Sequence, residues 1–144
     1  MPEGTLTTMS PGEDAREDIS RGLDVLTALS PADVGQAVAV QEGLVLAVEA
    51  VEGTDAMVER AGCLKRAGAP GPVLVKIKKL GQERRADLPT IGVDTVRGAV
   101  SAGFRGIAVE AGSTILVDRD AVVAAADAEG LFLTGICTMR DESR

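Results

Sequence analysis

Two short stretches of this 144-residue chain concentrate groups able to do chemistry. In the first, Glu49-Ala-Val-Glu52-Gly53-Thr54-Asp55, an apolar run passes through a glycine into a helix start and carries three carboxylates within seven residues. Free backbone N–H groups at a helix N-terminus suit a phosphate, and clustered carboxylate oxygens suit a hard divalent cation. The plainer account is local: Thr54 caps the helix and Asp55 complements its dipole. The second stretch runs from Lys76 to Asp87, where Lys76, Lys78, Lys79, Arg84 and Arg85, five of the chain's 15 basic residues, fall in ten positions. Cations gathered on a chain of net charge −7 point to a bound polyanion, with Arg able to grip phosphate through two parallel hydrogen bonds. The plainer account here is a solvated charged loop. Brought together, the two stretches would surround a diphosphate with carboxylates, cations and a divalent ion, an inventory that suits magnesium. Glu110, ending a strand, and Gln36, starting one after Gly35, are weaker candidates for the same crevice. Glu110 equally pairs with a neighbouring Arg, and an amide at Gln36 equally completes backbone hydrogen bonds.

Composition narrows the chemistry further. The chain has no His, Trp or Tyr, so imidazole metal ligands, Ser-His-Asp and Cys-His pairs and a His general base are excluded. A carboxylate is left to orient or deprotonate an attacking water. The acidic balance and the lack of stacking aromatics argue against nucleic acid as a partner. Cys63 and Cys137 form no C-x-x-C pair, which argues against a structural zinc site and for a reducing compartment; Cys63, on a helical face, is expected in the core. Met1 to Glu17 holds no apolar run, so no signal peptide is expected. No stretch approaches the roughly 20 apolar residues of a membrane span, and a soluble cytoplasmic domain is the expectation.

The elements that must position these groups alternate along the chain. Residues 1–10 are polar and Thr-rich and are expected as an arm or linker remnant. Ser10-Pro11-Gly12-Glu13 reads as a capped helix start, followed by Ile19, Leu23, Leu26 and Leu29 at helical spacing up to Ser30. Runs at 36–40 and 44–51 around a Gly-containing turn predict a hairpin. Because the second run is apolar on both faces, it is expected inside the sheet and not at its edge. Thr54 is expected to cap a helix ending at Gly68. Strands are predicted at 73–77, 107–110, 113–117 and 131–136, and helices at 94–102 and from Asp118 to Gly130. The pattern is that of an α/β domain, layered, with a mixed and largely buried sheet flanked by helices. Both polar stretches would then follow strands and converge at the carboxyl ends of the sheet. Lys78 to Ile91 has no usable periodicity, and loops of that length are usually functional or disordered. Residues 139–144 read as a tail.

The segments VGQAVAVQEGLVLAVEAVEGTDAM (34–57), LVKIKKLGQERRADLPTIG (74–92) and GIAVEAGSTILVDRDAVVAAADAEGLF (106–132) resemble the C-terminal domain of the UDP-2,3-diacylglucosamine pyrophosphatases of lipid A biosynthesis, the family unrelated to the calcineurin-like phosphoesterases. The resemblance runs in order from about Gly4 onward. It implies a catalytic domain over 11–138 in a Mg2+-dependent hydrolase of Gram-negative bacteria, cytoplasmic and peripheral to the inner membrane. The implied reaction cleaves UDP-2,3-diacylglucosamine to UMP and 2,3-diacylglucosamine 1-phosphate. The family's E-G-T-D segment falls on Glu52, Gly53, Thr54 and Asp55, and its Q-D-x-R-x-D-x-P segment on Gln82, Glu83, Arg85, Asp87 and Pro89. The implied roles are Asp55 and Asp87 as catalytic carboxylates, with Asp55, Asp87 and Glu52 toward the metal. Gln36, Gly53, Thr54, Lys76, Gln82 and Arg85 would contact substrate. Two departures stand out: Glu83 where the family more often has Asp, and Leu80 where it often has Pro. Full-length members also carry an N-terminal domain that helps enclose the nucleotide-sugar lipid; its absence leaves room for a homodimer. The alternative is a non-catalytic ligand-binding or dimerisation module.

Overall fold

The computed structural model describes residues 1–78 and 88–138. The elements in chain order are β1 (Gly4–Thr5), α1 (Glu13–Leu29), β2 (Ala37–Gln41), β3 (Leu44–Val48), α2 (Thr54–Leu64), β4 (Val73–Lys76), β5 (Thr90–Ile91), α3 (Val93–Ser101), β6 (Gly106–Glu110), β7 (Ile115–Leu116), α4 (Arg119–Ala128) and β8 (Phe132–Ile136). A short 3₁₀ turn at Ser30–Ala32 follows α1.

Six strands form a mixed sheet in the order β1-β8-β6-β4-β2-β3. The three central strands β4, β6 and β8 are parallel. Parallel strands need their faces covered, and the alternation along β4 shows how. Val73 and Val75 point to one face, where Ala15, Ile19 and Leu26 of α1 cover them. Leu74 points to the other, against Met57 of α2, Val96 of α3 and Val122 of α4. Helix α1 lies close to the sheet because Gly22 has no side chain; a Cβ there would sit 2.7 Å from Val75 Cγ2. The result is three layers with an aliphatic core, as an α/β layered domain requires.

A buried ion pair locks the amino edge of this sheet. Asp18 of α1, 2% exposed, accepts from Arg105 Nη2 at 3.0 Å just before β6 and from the Gly43 backbone N–H at 2.8 Å in the β2–β3 turn. That turn has Glu42 and Gly43 at φ 53° and 77°, the left-handed pair of a type I′ hairpin.

Several expectations shift. Strand β3 is an edge strand, not an interior one: β2 occupies the place beside β4, every residue of β2 is buried, and Leu44 of β3 is 46% exposed. Its two apolar faces reflect contact with α2 on one side and with α1's end of the sheet on the other, without a strand beyond. Residues 1–10, expected as an arm, contribute β1, which pairs antiparallel with β8 through Gly4↔Gly135 and Thr5↔Thr134. The Thr7 hydroxyl there accepts the Leu133 N–H. Helix α1 begins at Glu13 with Gly12 as its N-cap, and no side chain caps it; the proline lies before the helix and not inside it. Helix α2 has Gly53, not Thr54, at the cap and ends at Leu64, four residues before Gly68. Cys63, expected in the core, is exposed. The strand predicted at 113–117 shrinks to Ile115–Leu116 and leaves the main sheet to pair with β5.

Candidate functional site

Strand β3 runs antiparallel to β2, which runs antiparallel to β4, so β3, β4, β6 and β8 all end at one edge. Such a carboxyl edge is the usual ligand crevice of an open α/β sheet. Four polar residues reach this edge. Glu49 follows β3, Gln36 precedes β2, Lys76 ends β4 and Glu110 ends β6. The Gln36 backbone N–H donates to Glu49 Oε1 at 3.2 Å and its carbonyl accepts from Ile77 N–H at 3.0 Å. Gln36 therefore joins the exits of β3 and β4 through its backbone.

Lys76 is the central cation. It is 9% exposed, and among the described residues its ammonium donates to the Thr90 carbonyl oxygen of β5 at 3.3 Å. The ion pairs formed among the described residues do not include it. Burial pulls the amine below the ordinary lysine value of 10.5, and the negative charges of Glu49 and Asp55 pull it part of the way back. A cation held in place with its charge incompletely met is suited to an incoming anion.

The acidic corner lies beside it. Gly53 has φ 92° and ψ 166°, a conformation essentially confined to glycine. That geometry lets the chain turn sharply out of the β3 exit and start α2 with Thr54, leaving the first N–H groups of the helix without intrahelical partners. Asp55 stands in this first turn. Glu52 is committed elsewhere: Oε1 accepts the Ala50 N–H at 3.2 Å and Oε2 meets Arg60 at 3.0 Å. Arg60 also caps the Val48 carbonyl on the open side of β3 at 3.2 Å.

Glu110 sits at the middle of the edge. Oε1 accepts the Lys78 N–H at 2.8 Å and Oε2 accepts the Thr138 hydroxyl at 3.3 Å. The carboxylate thus ties the chain leaving β4 to the chain leaving β8. A second helix start, at Gly92 and α3, also faces this region, with Asp94 in its first turn. Sequence reading placed that helix but not its end at the site; the Gly92-Val93-Asp94 step was the available signal. Gln82, Glu83, Arg85 and Asp87 lie outside the described residues. Among the described residues no three Asp, Glu or Cys groups lie close enough to hold a metal ion together. No helix among them is long and apolar enough to cross a membrane.

With this geometry in place, residues 2–134 match the family described as the LpxI C-terminal domain. The chain belongs to that family. It is also similar to a protein of Caulobacter vibrioides named UDP-2,3-diacylglucosamine pyrophosphatase LpxI, at 49% identity over 141 residues. The alignment covers 94% of this chain and 50% of that protein, so the chain spans about half the length of this LpxI relative. The matched LpxI segment includes every polar residue of the carboxyl edge up to Glu110.

Proposed function

We propose that this chain is the catalytic half of a hydrolase that cleaves the diphosphate of UDP-2,3-diacylglucosamine to UMP and 2,3-diacylglucosamine 1-phosphate, for lipid A synthesis at the cytoplasmic face of the inner membrane. The single observation that carries the reading is the buried Lys76 ammonium at the carboxyl edge, bonded to the Thr90 carbonyl and under the influence of the Glu49 and Asp55 charges. A diphosphate would supply the direct ion pair that Lys76 does not make among the described residues.

In this reading Lys76 and the free N–H groups of Thr54 and Asp55 hold the phosphoryl oxygens, and Gly53 sets the angle at which α2 presents them. Arg85 and Gln82 add contacts to the same group, as the family resemblance implies. A carboxylate, Asp87 or Asp55, takes the proton of the attacking water while the phosphoanhydride bond breaks. Magnesium ordinarily uses one or two carboxylates plus substrate phosphates and water. Asp55 and Asp87 would hold it; Glu52, already paired with Arg60, fits less well. When bound, the ion would neutralise charge on the diphosphate. The other half of the full-length protein would close over this edge.

The test is direct. The purified chain with Mg2+ and UDP-2,3-diacylglucosamine releases UMP, and Asp87→Ala loses more than nine-tenths of that turnover, over about 1.4 kcal/mol in barrier, with an unchanged melting curve. A mutant keeping more than a tenth rejects the role of Asp87. If UMP never appears but the sugar lipid phosphate still raises the melting temperature, the chain is a binding module instead.

A further inference from the structure

Glu49, at the exit of β3, is a carboxylate to which the reaction described above gives no part. The antiparallel register of β2 and β3, with Val38 opposite Val48, continues one step to place Glu49 opposite Ala37, whose carbonyl accepts the Glu49 N–H at 2.9 Å. Ala37 in turn lies opposite Lys76 of β4. The three form one row across the carboxyl edge, and directly opposed residues of an antiparallel sheet put their side chains on the same face. That face is the one covered by α2, since Ala47 and Leu74, two residues back along the strands, pack with Met57. Two strand spacings, about 10 Å, separate the Glu49 and Lys76 backbones. The residue between them is a fully buried alanine, which leaves the two long side chains space to approach over its methyl group.

We propose that Glu49 is a positioning residue: reaching over Ala37, its carboxylate holds the Lys76 ammonium where the phosphates of the substrate arrive, an assignment that rests on the diphosphate reading above. The carboxylate is itself held in place. Its Oε1 accepts the Gln36 N–H at 3.2 Å. Gly35 lets the chain leaving β3 press against the chain entering β2, since a Cβ there would stand 2.1 Å from the Glu49 carbonyl oxygen. Among the described residues Oε2 accepts no hydrogen bond and Glu49 enters no ion pair, so its charge is not spent on another partner. The surroundings of Lys76 leave few rivals for the role. Its sheet neighbours Ala37 and Val109 are uncharged, and β5 contributes the Thr90 carbonyl. Burial pulls the amine down, and Glu49, ahead of Asp55, pulls it back. Asp55 is exposed at the start of α2, whereas Glu49 is half-buried and less screened by water and salt. An anion repels a diphosphate, so Glu49 serves the substrate through Lys76 and not by contact.

Glu49→Gln tests this cleanly, because the amide keeps an oxygen for the Gln36 N–H and removes only the charge. NMR of the chain isotope-labelled at lysine, with the Lys76 signal assigned through Lys76→Arg, reads the amine without substrate. In Glu49→Gln the Lys76 titration moves to lower pH. The alkaline rise in KM for UDP-2,3-diacylglucosamine moves with it, while kcat at neutral pH holds. Glu49→Asp, whose shorter stem sets the charge farther from the ammonium, moves both part of the way, and it carries the test if the glutamine variant melts early. A Lys76 titration unmoved in both variants overturns the proposal. A moved titration with an unmoved KM profile also overturns it, since Glu49 would then stand near Lys76 without serving the substrate. A folded wild-type chain that neither binds nor cleaves the compound removes the diphosphate reading, and the purpose of the pair with it, whatever the titration shows.

Discussion

At the amino edge of the sheet Asp18 is buried and fully answered, with Arg105 at 3.0 Å and the Gly43 N–H at 2.8 Å. At the carboxyl edge Lys76 is largely buried, 9% exposed against 2% for Asp18, yet its described neighbours offer a carbonyl at 3.3 Å and the charges of Glu49 and Asp55. Both charges belong to the same fold and are a strand's length apart. A buried charge met by a close, well-directed partner fixes chain geometry; one left short of counter-charge is available to a ligand and costs stability while it waits. The contrast separates a structural from a functional use of the same expensive placement.

The largest expected effect is at the functional edge. Lys76→Met lowers kcat/KM for the diphosphate substrate at least 100-fold, about 2.7 kcal/mol in transition-state binding, while the melting temperature holds or rises because a poorly compensated charge has gone. A large fall in melting temperature with little loss of turnover would show that Lys76 is structural, like Asp18. Next comes the mirror experiment. Asp18→Ala leaves the Gly43 N–H and Arg105 without their partner; with Arg105 side chain 25% exposed, the expected cost is about 2–3 kcal/mol by denaturant titration. The affinity of the folded protein for substrate should stay within twofold.

The pH dependence sharpens the same point. In the folded chain the Lys76 amine loses its proton below the ordinary lysine value of 10.5. Between that lowered value and 10.5 the unfolded chain binds more protons, so the destabilisation due to Lys76 is present at neutral pH and fades as pH rises. Substrate binding moves the opposite way: KM rises as the ammonium is lost. Lys76→Arg, whose guanidinium stays charged, should abolish that alkaline rise in KM, and an unaltered profile would assign it to another group. The smallest effect is expected at Glu52. Its pair with Arg60 is partly exposed, with side chains 29% and 44% accessible, and surface pairs contribute well under about 1 kcal/mol. Glu52→Gln should change stability by under about 0.5 kcal/mol and the Mg2+ requirement by less than twofold; a tenfold higher requirement would return Glu52 to the metal.

The alternation of short apolar runs with glycine-terminated helices makes the layered sheet legible, since both periodicities are local properties of the chain. Strand order is not local. The hairpin 37–48 is plain in the sequence, but nothing in it says which arm lies beside β4, and so β3 reads as interior when it is an edge. The same limit hides β1: two residues of weak pattern, Gly4 and Thr5, become a strand only because β8 presents an open edge to them. At the site, Lys76 and the Gly53–Asp55 corner were legible because charge on an otherwise apolar strand end and a glycine before a helix are conspicuous. The carbonyl of Thr90 was not, because backbone acceptors carry no residue signature. Glu110 was visible as a polar strand end, but the Lys78 N–H and the Thr138 hydroxyl that it meets among the described residues carry no charge pattern that would announce them.

Glu110 also has a mechanical consequence. Because one side chain holds both Lys78 and Thr138, the central strand acts as a common mooring for the two chain departures that flank the site. A shift in either is passed to the other through a single carboxylate, without disturbing the aliphatic layers beneath. Redesigning the path of the chain beyond β4 therefore means refitting the path beyond β8 at the same time.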